Sequence, residues 1–201
     1  VVNEEQLLLL TRNSDSLRTQ RLSLDGYFLD GRIPYQVEPE LRHGLATISN
    51  PHPKLETLIE SIEGTTVLHL RLGDHLALDP DLADRLVQQV GSVRSRLSSS
   101  QRSKPISLFT DSSREAIVIL RQAGFSQVDV IDTSELRPIE VLTAMGAGSG
   151  LVASASTFAW WAAFLQGESK NTVFMDTQRF PTWPKLSRPG WISLEAEKLE
   201  D

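Results

Sequence analysis

The chain contains no cysteine, which excludes disulfides, thiolate metal sites and thiol nucleophiles. Its four histidines, His43, His52, His69 and His75, fall in no HExxH or comparable ligand spacing, so no metal and no other cofactor is expected. Basic charge is scarce: 20 Lys and Arg stand against 26 Asp and Glu, the formal charge is −6, and no long basic run occurs. A nucleic-acid partner or an anionic membrane surface is therefore not expected, although one local arginine can still hold a phosphate. Long apolar runs are also lacking. The stretch 7–10 is far too short to cross a bilayer or to form a signal-peptide core. Together these absences lead us to expect a cytoplasmic protein of bacterial type.

What is present is an ordinary globular composition, 40% hydrophobic with a mean hydropathy of −0.18. The 201 residues suffice for one full domain and part of a second. From about residue 53 onward strand-like and helix-like stretches alternate. Leu55, Leu58, Ile59 and Ile62 predict a helix over 54–63, stopped by Gly64. The stretch 66–72 (TVLHLRL) reads as a strand. Asp79 and Pro80 are expected to cap and open a helix that carries Leu82, Leu86, Val90, Val93 and Leu97 to about residue 98. The stretch 94–104 reads as a polar helix end and loop.

Residues 106–110 predict a second strand, and Ser112 with Glu115 a capping box for a helix ending at Gly124. A strand over 127–131, a helix opened by Pro138, a strand over 151–154, a helix over 157–166 closed by Gly167 and a strand over 172–175 complete the pattern. Five short strands separated by helices indicate an α/β fold, a Rossmann-like parallel sheet with helices on both faces. Residues 1–50 are less regular and lead through the proline-rich stretch 50–53 into the main domain, 51–201.

Ligands of such a sheet bind at the carboxyl ends of its strands, and three polar segments are expected there. In the first, 69–74 (HLRLGD), His69 and Arg71 share one face of the strand. Arg71 offers a permanently charged fork suited to a diphosphate, and Gly73 permits a close backbone approach. An Arg71–Asp74 ion pair that merely stabilises the strand end is the alternative. The second, 109–112 (FTDS), brings Asp111 to a strand–helix junction where a ribose or base can be held. An ordinary turn is the alternative. The third, 153–161, leads small residues into a helix whose free N–H groups, with Ser156 or Thr157, can receive a phosphate. Its alternative is a Ser/Thr cap followed by packed aromatics.

Taken together, these segments resemble the α-1,2-fucosyltransferases and their α-1,6- and protein O-fucosyltransferase relatives. The family's HxRRGDY is similar to His69-Leu70-Arg71-Leu72-Gly73-Asp74-His75, its FSDD to Phe109-Thr110-Asp111-Ser112, and its NSSFSWWGAWL to the stretch from Ala155 to Leu165. Gly26-Tyr27-Phe28 falls where the family has a GYFQ-like stretch.

The resemblance implies the donor-binding half of a GT-B glycosyltransferase: residues 1–50 a remnant of the acceptor-side domain with a linker, 51–201 the nucleotide-sugar domain. It implies transfer of fucose from GDP-fucose to a sugar hydroxyl with inversion and without an obligatory metal. Arg71 would neutralise the diphosphate with His69 beside it, and Gly73 would line the donor site. Asp111 would contact the nucleoside and Glu140 would read the guanine. Ser156, Thr157 and Phe158 would hold phosphate. Asp74 is a candidate base. The partners implied are a nucleotide sugar and a glycan acceptor. Leu72, His75, Ser112 and Ala155 depart from the family pattern, which keeps open a different nucleotide sugar or a non-catalytic nucleotide- or glycan-binding relative.

Overall fold

We describe the protein from a computed structural model, which describes residues 50–166, 171–179 and 183–194 together with Pro34, Glu38, Pro39 and His43. The expected 26–28 match and the Gly167 helix stop lie outside the described residues. The chain divides into two units, 1–48 with 180–189, and 49–179 with 190–201. In the first, a helical turn at Trp183–Leu186 precedes Arg188, which pairs with Glu38 at 2.5 Å. The second contains the sheet and every candidate site residue.

Six strands, all parallel, form that sheet: β1 Thr66–Leu70, β2 Ile106–Thr110, β3 Val128–Val130, β4 Gly150–Ser154, β5 Asn171–Met175 and β6 Ile192–Leu194. Their order is β3-β2-β1-β4-β5-β6, so the chain steps outward from β1 in one direction, returns, and steps outward in the other. This doubly wound order places the topological switch point between β1 and β4. All five positions of β1 and of β4 are buried, as expected of strands covered on both faces.

The helices fall into two groups. Helix α1 (Lys54–Ile62) packs on α6 (Pro138–Ala147), and α6 on α7 (Thr157–Gln166); α3 (Leu82–Arg96) packs on α5 (Ser113–Gln122). Two short helices, α2 (His75–Leu78) and α4 (Ser99–Arg102), lie between them in the chain. The side of the sheet facing α3 and α5 joins Leu68, Leu70 and Leu72 to Leu82, Leu86, Val90, Ile119 and Leu120 in one buried cluster, each fully buried leucine contributing about 1.5–3 kcal/mol. Alternation turns Val67, His69 and Arg71 to the other side, where Val67 meets the end of α6 at Gly148. Among the described residues no helix is long and apolar enough to cross a membrane.

Several boundaries differ from the sequence expectation for identifiable reasons. Strand β1 stops at Leu70 rather than at 72 because the Arg71 N–H donates to the Ser154 hydroxyl, 2.9 Å away, instead of to a neighbouring strand. Asp79 caps no helix: α3 begins at Leu82, and the Asp79 carboxylate takes two N–H groups of Arg85. Ser112 makes no side-chain cap bond; its own N–H donates to the Thr110 hydroxyl at 3.2 Å. A capping box occurs instead within the expected loop, where Ser98 Oγ accepts from Gln101 N at 3.2 Å and Gln101 Oε1 accepts from Ser98 N at 3.0 Å, opening α4. Strand β6 is an addition to the expected five.

Candidate functional site

The paired register of β1 and β4 ends at His69 and Ala153, and beyond it lie Arg71 to Asp74 on one side and the loop into α7 on the other. The Arg71–Ser154 hydrogen bond joins the two sides. Asp111, the first residue after β2, organises the turn: its Oδ1 accepts the N–H groups of Leu72 at 2.8 Å and Gly73 at 3.2 Å. Its Oδ2 pairs with Arg71 Nη1 at 2.5 Å. A Cβ at position 73 would sit 2.6 Å from that same Oδ2, so any side chain there would have to displace the carboxylate. Burial pushes the Asp111 carboxyl up, but the Leu72 and Gly73 N–H groups and the Arg71 charge outweigh it and hold its pKa below the usual value.

Arg71 is paired twice, since its Nη2 also donates to Asp74 Oδ1 at 3.1 Å. One cation thus stands between two carboxylates. The Arg71–Asp74 pair anticipated as the plain alternative is formed, and Arg71 remains 45% exposed and Asp74 66% exposed at the side chain, open to exchange partners. Leu72, where the family pattern has a second arginine, is completely buried in the cluster against α3. A guanidinium at that position would enter the core.

His69 lies behind Arg71, 7% exposed, its ring centroid 6.0 Å from that of Phe158 with the planes tilted by 37°. Its Nδ1 is buried and makes no hydrogen bond. Burial lowers its pKa to about 4, Asp111 opposing and Arg71 adding to the effect. At neutral pH the ring is therefore uncharged and offers hydrogen bonding rather than charge.

On the α7 side Ser156 is a helix cap. Its Oγ accepts the Ala159 N–H at 3.1 Å and its carbonyl accepts from Trp160 N at 2.9 Å. That hydroxyl is committed to the helix, whereas the N–H groups of Thr157 and Phe158 belong to the first turn, which has no intrahelical acceptors. Thr157 is exposed and Phe158 partly so. Trp160 is packed, stacking on Phe164 with centroids 5.3 Å apart.

Glu140 belongs to a separate network at the start of α6. It is fully buried and accepts from His52 N at 2.7 Å, Arg137 N at 2.8 Å and Arg137 Nη2 at 2.8 Å. The Arg137 side chain first, then the two backbone donors, lower its pKa to about 2.

The sequence reading missed one polar cluster, at the carboxyl end of β5. Asp176 has a φ of 58° and donates its N–H to Gln89 Oε1 at 2.9 Å. Arg85 bridges Asp79, at 2.5 Å, and Asp176, at 3.2 Å, while Arg179 lies 3.5 Å from both. The Asp79 hydrogen bonds first, then those of Asp176, outweigh burial and raise the Arg85 pKa. The preceding carbonyl, of Met175, accepts the Ala155 N–H at 2.9 Å, so the cluster begins one residue from the backbone contact that fixes the loop into α7. Its signal was the same as that of Asp111, a carboxylate directly after a strand.

Among the described residues no group of three or more His, Asp or Glu is placed to hold a metal ion. No protein-family model, no curated protein and no solved structure matches the chain.

Proposed function

We propose that the crevice outside β1 and β4 binds the diphosphate of a nucleotide sugar, and that the chain is the donor-binding part of a glycosyltransferase resembling the α-1,2-fucosyltransferases. One observation carries the reading. The three segments of the resemblance stand at the carboxyl ends of β1, β2 and β4, around the switch point, and are tied together by Arg71 N to Ser154 and by Asp111 to Leu72 and Gly73.

In this reading Arg71 and the Thr157 and Phe158 N–H groups receive the diphosphate, with neutral His69 beside it. Asp111 is a positioning residue that aims Arg71, a role its three bonds favour over the nucleoside contact implied by the resemblance. The bond from the sugar C1 to the diphosphate oxygen breaks with its electron pair going to the diphosphate. The acceptor oxygen bonds C1 from the opposite face, and its proton passes to a base. Asp74 serves as that base once it has left Arg71. Stabilising the departing charge is the main catalytic effect. Arg71→Ala is expected to lower transfer from GDP-fucose by about 100- to 1,000-fold without loss of the folded state. Near-normal turnover of the variant refutes the role.

The burial of Leu72 and the double pairing of Arg71 favour a second reading, a nucleotide-binding relative without transfer. Nucleotide binding with neither transfer nor donor hydrolysis separates it from the enzyme, and comparison of GDP, UDP and ADP sets the donor.

A further inference from the structure

The donor-site reading, on which this inference rests, needs Arg71 and the first turn of α7 held at a fixed separation across the crevice. We propose that Arg85, on α3, is the positioning residue that sets it. Arg85 does so by gripping two things at once: the far end of the segment that carries Arg71, and the strand end that anchors the loop into α7.

The contacts close a ring. Segment 71–79 is knitted by the bonds from Leu76 N to Leu72 O and from Asp79 N to His75 O, both at 3.0 Å. It is tied at its start by Ser154 and Asp111. At its end the two Asp79 oxygens accept Arg85 Nη1 at 3.2 Å and Nη2 at 2.5 Å. The third nitrogen of the same guanidinium, Nε, donates to Asp176 Oδ1 at 3.2 Å. Asp176 follows Met175, whose carbonyl accepts the Ala155 N–H. Ala155 follows Ser154, which accepts the Arg71 N–H and completes the circuit. A planar guanidinium joins two carboxylates through donors in a fixed fork, which a single ammonium does not reproduce.

Two local costs mark the same place. Asp176 adopts a left-handed φ of 58°, uncommon for a residue with a side chain. Gln89, whose Oε1 accepts the Asp176 N–H at 2.9 Å, leaves its buried Nε2 without a hydrogen bond among the described residues. Ending a strand requires neither cost. Such costs persist where the surrounding structure fixes a geometry that a site uses.

The test is equilibrium titration of the full chain with inorganic pyrophosphate, comparing wild type with Arg85→Met, Asp79→Asn and Ile119→Val. Arg85→Met removes a positive charge and Asp79→Asn a negative one. A purely electrostatic influence on an anion would therefore weaken its binding in the first and strengthen it in the second. Loss of position weakens both, by about 2- to 30-fold. Ile119→Val costs stability by removing a methylene from the core cluster, and it is expected to bind as wild type does. In a transfer assay the weakening appears in the donor KM, whereas a merely structural role lowers the amount of active chain, and with it kcat, at unchanged KM. Binding by either folded charge variant within about twofold of wild type, or an equal weakening in Ile119→Val, overturns the inference and leaves the donor-site reading standing. Should Arg85→Met not fold, Asp79→Asn decides alone. If wild type binds no pyrophosphate, the donor-site reading fails and this one with it.

Discussion

Replacing Asp74 by Asn removes one of the two carboxylates that hold Arg71 while keeping the side chain's size. The pair is close, 3.1 Å, but exposed on both sides, so its net worth is that of a surface ion pair, about 0.2–1 kcal/mol. An anion entering the crevice must break this contact. In the variant it need not, and its affinity is expected to rise by the corresponding factor, about 1.4- to 5-fold at low salt. The gain should shrink at high ionic strength, where the original pair is screened. Asp111 does not behave this way, because two backbone N–H groups fix it in place. Titration with inorganic pyrophosphate at two salt concentrations gives the affinities, and a transfer assay completes the comparison. If Asp74 is also the base, the variant binds donor more tightly yet turns over more slowly. Unchanged or weaker pyrophosphate binding by Asp74→Asn would refute the competition between carboxylate and ligand.

Gly73→Ala is expected to push the Asp111 carboxylate away, since the new Cβ would lie 2.6 Å from Oδ2. The lost backbone bonds cost about 1–3 kcal/mol, read by denaturant unfolding, together with weakened pyrophosphate binding; an unaltered midpoint counts against the turn. His69 has a folded pKa of about 4, below its unfolded value, so the unfolded chain takes up its proton first as pH falls. Its contribution is complete above about pH 6.5 and is lost between there and about pH 4, roughly 3 kcal/mol in all. His69→Phe should flatten that part of the stability–pH curve, and an unchanged slope would show that the imidazole titrates as if exposed. Arg85→Ala leaves Asp79 and buried Asp176 with the longer Arg179 contacts as their charged partners, Asp176 keeping also the Gln178 amide at 3.0 Å. A loss of about 2–3 kcal/mol is expected, and a loss below about 0.5 kcal/mol would mean that the cluster does not stabilise the end of β5.

Much of this architecture is written in the spacing of apolar residues. Leu82, Leu86, Val90 and Val93 recur at helical intervals and are all buried, because only one stripe of α3 can reach the sheet. Strand β6 escaped notice because three residues, two of them exposed, carry no periodicity; pairing with β5 creates it. The ends of elements were legible only where local chemistry decides them. Asp79-Pro80 resembles a helix start, yet an arginine six positions on competes for the carboxylate more strongly than backbone N–H groups do.

The same division runs through the site. Which residues stand at strand ends could be read from the alternation of strands and helices. That Asp111 reaches Arg71 depends on β1 lying beside β2, and that Glu140 is taken up by His52 depends on where the chain enters α1. Both are tertiary facts with no counterpart in local spacing.

The most direct test of the donor-site claim is calorimetric titration with GDP, with UDP and the Arg71→Ala variant as controls. The account predicts binding of GDP in preference to UDP and loss of that binding in the variant. Binding of no nucleotide, or GDP binding that survives removal of Arg71, would contradict it.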